Sequence, residues 1–270
     1  MNGTMNFPEP RNIRTADPAA HTGIVIEGLS KSFGSKKVLD KCDLLINKGE
    51  TLVIIGRSGE GKSVLLKSIV RLLEMDEGRI WIEGTEISDL GMRKLMALRK
   101  KFGFLFQGAA LFDSMTVCKN IGLMLEEHSG WSKEEIRERA CECLALVGLF
   151  QVEDKLPSAL SGGMKKRVGL ARAIAMNPEY ILYDEPTTGL DPITGDAIND
   201  LIIKGKQELG VTSIVVTHDM PSAFKIADRM AMLNGGKIVF TGTVDEIRST
   251  DHPMVRQFIE GNSQGPLETF

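Results

Sequence analysis

The stretch GRSGEGKS (residues 56–63) lies between an apolar run, TLVIIG (51–56), and a helix-like run, VLLKSIVRLL (64–73). Its glycines let backbone N–H groups face an anion at the start of a helix, where the helix dipole is positive. In this pattern Lys62 reaches the β- and γ-phosphates, and the hydroxyl of Ser63 binds Mg²⁺. The sequence therefore predicts a loop between a strand and a helix that binds a nucleoside triphosphate.

The composition of the 270-residue chain is that of an ordinary globular protein, with 42% hydrophobic and 26% charged residues. A formal net charge of −3 argues against general coating of nucleic acid but leaves a local basic patch open, and we expect no nucleic acid partner. There is no apolar run of about 18 residues and no signal-type start, which predicts a cytosolic chain. The cysteines lack zinc-type spacing, and we expect free thiols, with Cys141 and Cys143 on different faces of one helix.

The order of patterns along the chain predicts an α/β fold. Residues 1–22, rich in Pro, Asn, Thr and Ala, are interpreted as a loose tail before the first strand, GIVIEGLSKSF. Short strand patterns follow at GRIWIEG and KFGFLFQ, and helical periodicity dominates from about Asn120 to Leu149. From Met164 onward helix and strand patterns alternate, which predicts a parallel sheet flanked by helices.

A second motif, YILYDE (residues 180–185), is an apolar strand that ends in two acids. Such acids can be no more than a solvated strand end. Downstream of a phosphate-binding loop, however, Asp184 can hold the hydration shell of Mg²⁺, and Glu185 can polarise the water that attacks the γ-phosphate. This strand end is therefore a candidate catalytic site for hydrolysis.

Between these two motifs lies LSGGM (residues 160–164), at the start of the helical pattern MKKRVGLARAIAMNP. One interpretation is structural, with Ser161 as a helix N-cap and Gly162 and Gly163 as a flexible pair. The other uses the same physics, because a hydroxyl, backbone N–H groups and the positive helix end form a second phosphate site. In that case the chain offers two different phosphate sites.

The sequence resembles the ATP-binding cassette (ABC) family over about residues 24–245, because its motifs occur in the order typical of that family. The matching order is the P-loop, Gln107, LSGGM, YILYDE, the GLD triplet at 189–191 and His218. The resemblance implies an α/β P-loop NTPase domain of the ABC type at residues 23–245, with a small antiparallel β subdomain and a helical subdomain at about 108–163. Residues 246–270 are then a C-terminal helix and tail that contact another subunit.

The family resemblance also implies roles for single residues. Phe33 resembles the aromatic residue that stacks on adenine, although it can also be an ordinary core residue after a strand. Gln107 resembles the glutamine that contacts Mg²⁺ and water and senses the membrane partner. His218 resembles the switch histidine that contacts the γ-phosphate and positions the water, and it could otherwise be a capping or core histidine. Asp191 resembles the aspartate that bridges two subunits.

The resemblance implies an ATP and Mg²⁺ site shared by two copies of the chain, each ATP lying between the P-loop of one copy and LSGGM of the other. Water attacks directly, without a covalent enzyme intermediate. The implied catalytic set is Lys62, Gln107, Glu185 and His218. The implied nucleotide-binding set is Phe33, Gly56, Arg57, Ser58, Gly59, Glu60, Gly61, Lys62, Ser63, Ser161, Gly162, Gly163 and Asp191, and the Mg²⁺ ligands are Ser63, Gln107 and Asp184.

The sequence departs from the common family pattern at three places. Met164 replaces the usual Gln after LSGG, Thr188-Gly189 stand where Ser-Ala is commoner, and Glu60 brings an acid next to the phosphate loop. None of them removes a reacting group. Glu60 and Met164 could each weaken nucleotide affinity by about 1 kcal/mol.

Within the family, a single cassette with no long insertion between Gln107 and Ser161 favours membrane transport over repair or translation control, with the transmembrane permease on another polypeptide. The segments FQGAALFDSMTVCKNIG (106–122) and VRQFIEGNSQGPLETF (255–270) are similar to the ATPases of Mla (maintenance of lipid asymmetry) systems and their Mce-type relatives. In the simpler interpretation, FDSMTV only starts the helical insertion and the tail is a frayed end.

The similarity to Mla and Mce-type ATPases implies phospholipid transport between the two membranes of a diderm bacterium. The implied partners are a second ATPase copy, an integral membrane permease, a periplasmic Mce-domain lipid-binding subunit and a small cytosolic accessory protein. The implied location is the cytoplasmic face of the inner membrane. Two alternatives stay open: an ABC ATPase that imports or exports a small molecule, and a DNA- or ribosome-associated ABC ATPase.

Overall fold

The structure, a computed structural model, describes residues 17–267. Most of the predicted N-terminal tail, residues 1–16, and the last three residues, 268–270, lie outside the described range. The described chain starts with a 3₁₀ turn at Pro18–Ala20, where the Asp17 side chain accepts a hydrogen bond from the Ala19 N–H at 3.0 Å. The end of the predicted tail thus contains a capped turn.

Within residues 17–267 the chain forms ten strands and nine α-helices. The strands are β1 (Gly23–Phe33), β2 (Lys36–Asn47), β3 (Thr51–Ile55), β4 (Glu77–Ile82), β5 (Thr85–Glu86), β6 (Phe102–Leu105), β7 (Tyr180–Asp184), β8 (Thr212–Thr217), β9 (Arg229–Asn234) and β10 (Lys237–Thr243). The helices are α1 (Lys62–Ile69), α2 (Met92–Arg99), α3 (Val117–His128), α4 (Lys133–Leu146), α5 (Gly162–Ile174), α6 (Pro192–Leu209), α7 (Met220–Ile226), α8 (Val244–Ser249) and α9 (Pro253–Glu260). None of these helices has both the length and the apolar composition needed to cross a membrane.

The elements group into two compact units that alternate along the chain. The first unit contains the described residues up to Asn47, Ile54–Asp89, and the chain from Arg229 onward. The second unit contains Lys48–Val53 and Leu90–Asp228. The first unit is therefore assembled from three separate stretches of sequence.

The first unit contains an antiparallel sheet of four strands in the order β2-β1-β4-β5. Val25 of β1 pairs with Leu45 of β2 on one side and with Trp81 of β4 on the other. Residues 23–26 are all buried, so this part of β1 is covered on both faces, because successive side chains alternate between faces. The sheet confirms the predicted antiparallel β subdomain.

The first unit also carries the turn that leads from β3 into α1, at the predicted phosphate loop. Gly56 has φ +154°, and a Cβ there would lie 2.4 Å from the carbonyl oxygen of Leu233 in β9. Strand β9 pairs antiparallel with β10, and Gly235 and Gly236 form the turn between them. The loop thus packs so closely against the backbone of this hairpin that no side chain would fit at residue 56.

The second unit is built on parallel strands, with β7 between β6 and β8. Tyr180 of β7 pairs with Phe102 and with Thr212, and all five residues of β7 are buried. The parallel sheet predicted from the alternating patterns is thereby confirmed. Carboxyl ends of parallel strands meet at one edge, which is where open α/β sheets bind ligands. Gln107 follows β6 at this edge, Glu185 follows β7 and His218 follows β8.

The predicted helical stretch at about residues 120–149 is divided into the two helices α3 and α4. Gly130, with φ +73°, lies in the turn between them, and α4 begins with a capping box at Ser132. A Cβ on Gly122 would lie 2.5 Å from Cγ2 of Ile136, so the two helices are in close contact at this point. The polar run Ser132-Lys133-Glu134-Glu135, which is typical of a helix start, marks the point in the sequence at which α4 begins.

The C-terminal part of the first unit includes α8 and α9. Helix α9 (Pro253–Glu260) buries Val255, and its C-cap is Gly261, which has φ +65°. The chain then turns back. The Leu267 N–H donates to Oε1 of Gln257 at 2.7 Å, and Nε2 of Gln257 donates to the Leu267 carbonyl at 3.1 Å. The described part of the predicted tail therefore packs against the helix that precedes it.

Candidate functional site

The phosphate loop of the first unit holds Lys62 among its own carbonyl groups. Lys62 is buried, and its ammonium donates to the carbonyl oxygens of Gly56 at 2.7 Å and Arg57 at 3.0 Å. Gly61 precedes α1 in the left-handed conformation, with φ +101°, and Ser63 is the second residue of that helix. The lysine, the hydroxyl and the first N–H groups of α1 therefore lie at one helix start, a combination suited to phosphate.

The acid in the loop, Glu60, is engaged by two neighbours. Its carboxylate accepts hydrogen bonds from the Arg57 guanidinium at 3.1 Å and from the Gly235 N–H at 2.7 Å. A cation and an amide thus face the negative charge, which reduces the repulsion that a nearby phosphate would experience. The contact also ties the loop to the β9–β10 turn. The sequence shows that Glu60 is an acid beside the phosphate loop, but it does not show that Arg57 and Gly235 are its hydrogen-bond partners.

A cleft of about 580 Å³ opens beside the loop, a volume in the usual range for small-molecule sites. Three cations and one carboxylate line it, which gives it an excess of positive charge suited to a polyphosphate. The lining residues are Lys36, Lys37, Val38, Arg57, Ser58, Gly59, Glu60, Gly235 and Gly236.

Phe33, at the end of β1, is not a core residue, because 48% of its surface is exposed. The ammonium of Lys31 lies 5.7 Å from the ring centroid, and Asp76 accepts a hydrogen bond from it at 2.7 Å. Asp76 also accepts from the Ser32 N–H at 2.6 Å. The hydrogen bond from Lys31 lowers the pKa of Asp76 below its ordinary value. An exposed ring beside an anchored cation is well suited to stacking, and the predicted contact with adenine stays a prediction.

In the second unit, the loops after β7 and β8 bring Glu185 and His218 together. Nδ1 of His218 lies 2.9 Å from Oε2 of Glu185, and the Thr188 hydroxyl donates to the same oxygen at 2.9 Å. Asp184, the last residue of β7, is buried. Glu185 has φ +50°, a conformation that costs a residue with a side chain about 1 kcal/mol or more. Strain of this kind is concentrated at functional sites.

The loop after β6 exposes the side chain of Gln107, while its backbone is held by Lys166. The ammonium of Lys166 donates to the carbonyl of Gln107 and, at 3.0 Å, to the carbonyl of Glu185. Burial lowers the pKa of Lys166, and attraction to Asp184 and Glu185 opposes that shift. Sequence reasoning missed this residue, because a lysine in a Lys-Lys-Arg run is typical of a solvated helix face.

Ser161 and Asp191 are both helix N-caps with exposed positions. Oγ of Ser161 accepts from the Met164 N–H at 3.3 Å, and Oδ1 of Asp191 accepts from the Thr194 N–H at 3.0 Å. Hydrogen bonds from Thr194 lower the pKa of Asp191. The capping interpretation of Ser161 is thereby confirmed. Contact of Ser161, Gly162 and Gly163 with phosphate, and of Asp191 with a second subunit, stay predictions.

The predicted Mg²⁺ ligands, Ser63, Gln107 and Asp184, offer hydroxyl, amide and carboxylate oxygens. Mg²⁺ prefers oxygen ligands and usually keeps several waters and substrate phosphates in its shell. Within residues 17–267 no group of three or more His, Cys, Asp or Glu side chains is arranged to hold a metal. An ion held by a few protein oxygens together with nucleotide phosphates fits both observations.

Comparison with known proteins defines the class of protein. A family model described as "ABC transporter" matches residues 39–188, which include the P-loop, the LSGG segment and the two strand-end acids. The chain belongs to the ABC transporter family, and it is an ATPase that binds ATP with Mg²⁺ and hydrolyses it.

Individual relatives include a phospholipid transport ATPase. The intermembrane phospholipid transport system ATP-binding protein MlaF of Haemophilus influenzae is 37% identical over 244 residues, 90% of this chain and 92% of that protein. The probable ribonucleotide transport ATP-binding protein mkl of Mycobacterium tuberculosis is 42% identical over 244 residues, 90% of this chain and 68% of that protein. A solved ATP-binding cassette, described as a dimer in a post-hydrolysis state bound to ADP and Pi, is 35% identical with a TM-score of 0.76, over 82% of this chain and 98% of that one. The predicted fold is thus confirmed.

Proposed function

We propose that this chain is the ATP-hydrolysing subunit of a transporter that moves phospholipid between the inner and outer membranes of a diderm bacterium. The observation that carries the proposal is the match to MlaF, named for intermembrane phospholipid transport, over 90% of this chain and 92% of that protein. In this proposal the path for the lipid belongs to a separate permease.

The proposed chemistry divides between the phosphate loop and the strand-end cluster. Lys62 and the N–H groups at the start of α1 hold the β- and γ-phosphates. Glu185 polarises the attacking water, and His218, in contact with the same carboxylate, orients it. When bound, Mg²⁺ draws charge from the phosphate oxygens, and the residues that would hold it are Ser63, Gln107 and Asp184.

Two copies of the chain are proposed to bind two ATP molecules head to tail. In this arrangement LSGG of one copy faces the P-loop of the other, and the first N–H groups of α5 donate to the γ-phosphate. The solved cassette related to this chain is described as a dimer. Ser161 and Asp191 are exposed in the single chain, as residues that contact a second copy must be before assembly.

The other proposed partners are the permease, a periplasmic Mce-domain lipid-binding subunit and a small cytosolic accessory protein. The ATPase would lie on the cytoplasmic face of the inner membrane. The proposed ABC domain is residues 23–245, with the helical subdomain at about 108–163 and a subunit contact at 246–270. Phe112 and Phe150, which are 50% and 70% exposed, offer apolar area for a protein contact on that subdomain.

A small-molecule cargo is the second candidate. The mycobacterial relative, named for ribonucleotide transport, has the higher identity, 42% against 37% for MlaF. The segments at residues 106–122 and 255–270, which are similar to those of Mla and Mce-type ATPases, favour the lipid assignment. An ATPase associated with DNA or ribosomes is disfavoured by the net charge of −3.

The roles of Lys62 and Glu185 can be tested by two substitutions. Lys62→Ala should abolish nucleotide binding or turnover, because it removes a phosphate contact. Glu185→Gln should keep ATP binding and stop hydrolysis, since it preserves the shape and removes only the charge. The stalled chain should then accumulate as an ATP-bound dimer in size-exclusion chromatography with Mg²⁺. Turnover of Glu185→Gln at the wild-type rate would refute the proposed base.

The cargo can be tested in reconstituted membranes. The chain is purified with its permease and placed in vesicles of phosphatidylethanolamine and phosphatidylglycerol that contain a fluorescent phospholipid. We expect ATP-dependent transfer of that phospholipid out of the vesicle membrane. The same complex with Glu185→Gln should show no such transfer. ATP-dependent uptake of ribonucleotides without lipid transfer would refute the lipid assignment and leave the ATPase mechanism intact.

A further inference from the structure

We propose that Lys166 is a positioning residue for ATP hydrolysis, which ties the loop of Gln107 to the strand end of Glu185. The proposal rests on the roles proposed above for those two residues. Lys166 touches neither nucleotide nor water in this mechanism. It acts through the backbone of the two segments that do.

The contacts of Lys166 are unusual for a lysine. Its side chain starts from the second turn of α5, only 5% of the residue is exposed, and its ammonium donates to two backbone carbonyls, those of Gln107 and Glu185. A buried ammonium is tolerated only where polar groups replace its water. The two carbonyls belong to different loops, so one cation fixes the distance between them.

The backbone of Glu185 depends on this support. Its φ of +50° lies in the left-handed region, and its N–H donates to the Val216 carbonyl of β8 at 3.0 Å. Lys166 holds the carbonyl of the same residue. With both backbone groups fixed, the unfavourable conformation is maintained, and the side chain is directed toward His218.

The loop of Gln107 is held by α5 at a second point. Ala109 and Ala110 have φ of +61° and +47°, and the Arg172 guanidinium donates to their carbonyls at 2.6 and 2.7 Å. Gly169 lies between Lys166 and Arg172 on α5. A Cβ there would lie 3.2 Å from that of Ala109 and 2.8 Å from Cδ1 of Leu105, so glycine permits the close approach. Two cations and one glycine thus hold the loop against the helix.

The same helix begins at Ser161, its N-cap. The predicted phosphate contact at its start and the loop of Gln107 along its side are thus both attached to one helix of 13 residues. The contacts that Lys166 and Arg172 make with the two loops, which we call the clamp, therefore couple three predicted parts of one reaction. These parts are the γ-phosphate contact, the loop that senses the permease and the water-polarising carboxylate.

The test compares Lys166→Met with Lys165→Met in the full-length chain. Both variants remove one ammonium from α5, but Lys165 is partly exposed and lies outside the proposed clamp. For Lys166→Met we expect kcat to fall roughly 10- to 100-fold, because a displacement of about 1 Å at a reacting group can cost about 100-fold. The Kd for ATP should stay within about two-fold of wild type, since the phosphate loop is unchanged. Lys165→Met should match wild type in both.

A second variant covers the case in which Lys166→Met does not fold. Lys166→Gln keeps a polar group but is too short to reach both carbonyls, so it should show the same fall in kcat with ATP affinity retained. A variant that folds and has the kcat of Lys165→Met would overturn the proposal. So would a loss of ATP affinity that accounts for the whole loss of activity. Glu185→Gln, measured alongside, separates this result from a failure of the proposed base.

Discussion

Replacing Phe33 by alanine is expected to weaken ATP binding without slowing the hydrolysis of bound ATP. The ring is 48% exposed at the end of β1, with the Lys31 ammonium 5.7 Å from its centroid. Stacking of a base on an aromatic ring contributes about 1–3 kcal/mol by alanine substitution. That free energy corresponds to a rise of roughly 5- to 150-fold in the Kd for ATP.

The measurement is equilibrium binding of two ligands to wild type and Phe33→Ala. ATP has a base to stack, and inorganic triphosphate has none, so only ATP affinity should fall. Phe33→Tyr is the matched control, because it keeps a ring and should bind ATP within about two-fold of wild type. Equal losses for ATP and triphosphate, or an unchanged affinity for ATP, would refute the assignment of Phe33 to the base.

The support of the ring by Asp76 adds a pH dependence. The hydrogen bond from Lys31 lowers the pKa of Asp76 below its ordinary value of 3.8. At any pH above its lowered pKa, the Asp76 carboxylate stays charged and keeps its ion pair with Lys31. It loses the ion pair only as the pH falls through that lowered pKa. The ratio of ATP affinities between wild type and Asp76→Asn should therefore be constant from pH 6 to 8. A ratio that changes several-fold across this interval would show that another group controls the ring.

Three further predictions concern the shared site, the thiols and the tail. Mixing Lys62→Ala chains with Ser161→Arg chains should restore one intact site per heterodimer and hence phosphate release, whereas background release in every mixture would contradict a shared site. Burial raises the pKa of Cys42 to about 12 and of Cys143 to about 11, so iodoacetamide at pH 8 should label at most two thiols in the native chain and four after denaturation, as counted by mass spectrometry. Native labelling of all four would contradict the burial. Gln257→Ala removes three hydrogen bonds to the tail, which together contribute roughly 2–4 kcal/mol to its docking. Amide hydrogen exchange at residues 262–267 should therefore become faster, while ATP turnover stays unchanged. Unaltered exchange would mean that other contacts hold the tail.

The phosphate loop could be predicted because its signal is local. The glycine spacing, Lys62 and the flanking strand and helix all lie within residues 51–73. The parallel sheet also followed from the short-range alternation of helix and strand patterns. Because the carboxyl ends of parallel strands meet at one edge of the sheet, this topology then accounts for the contact between Glu185 and His218. Where chemistry depends on neighbours in sequence or on a simple topological rule, the sequence is sufficient.

The supports of the site could not be predicted, because they depend on contacts that no local pattern records. Glu60 finds its amide partner 175 residues away, at Gly235. Lys166 lies in a basic run whose neighbours are partly exposed, and only the packing of α5 against two loops shows that it is buried. Helix α2 was missed for a related reason: it buries only Leu95, and its N-cap, Gly91, has no side chain to cap the helix.

The contact between the phosphate loop and the β9–β10 hairpin has a consequence for how the chain is made. The ribosome delivers Gly56 and Glu60 early, but their partners Leu233 and Gly235 come about 175 residues later. At about 5–20 residues per second, the loop waits roughly 10–35 s for the backbone against which it packs. A nascent or prematurely terminated chain therefore has the motif without its supporting hairpin. We therefore expect the phosphate loop to reach its final packing only after the β9–β10 hairpin has been synthesised.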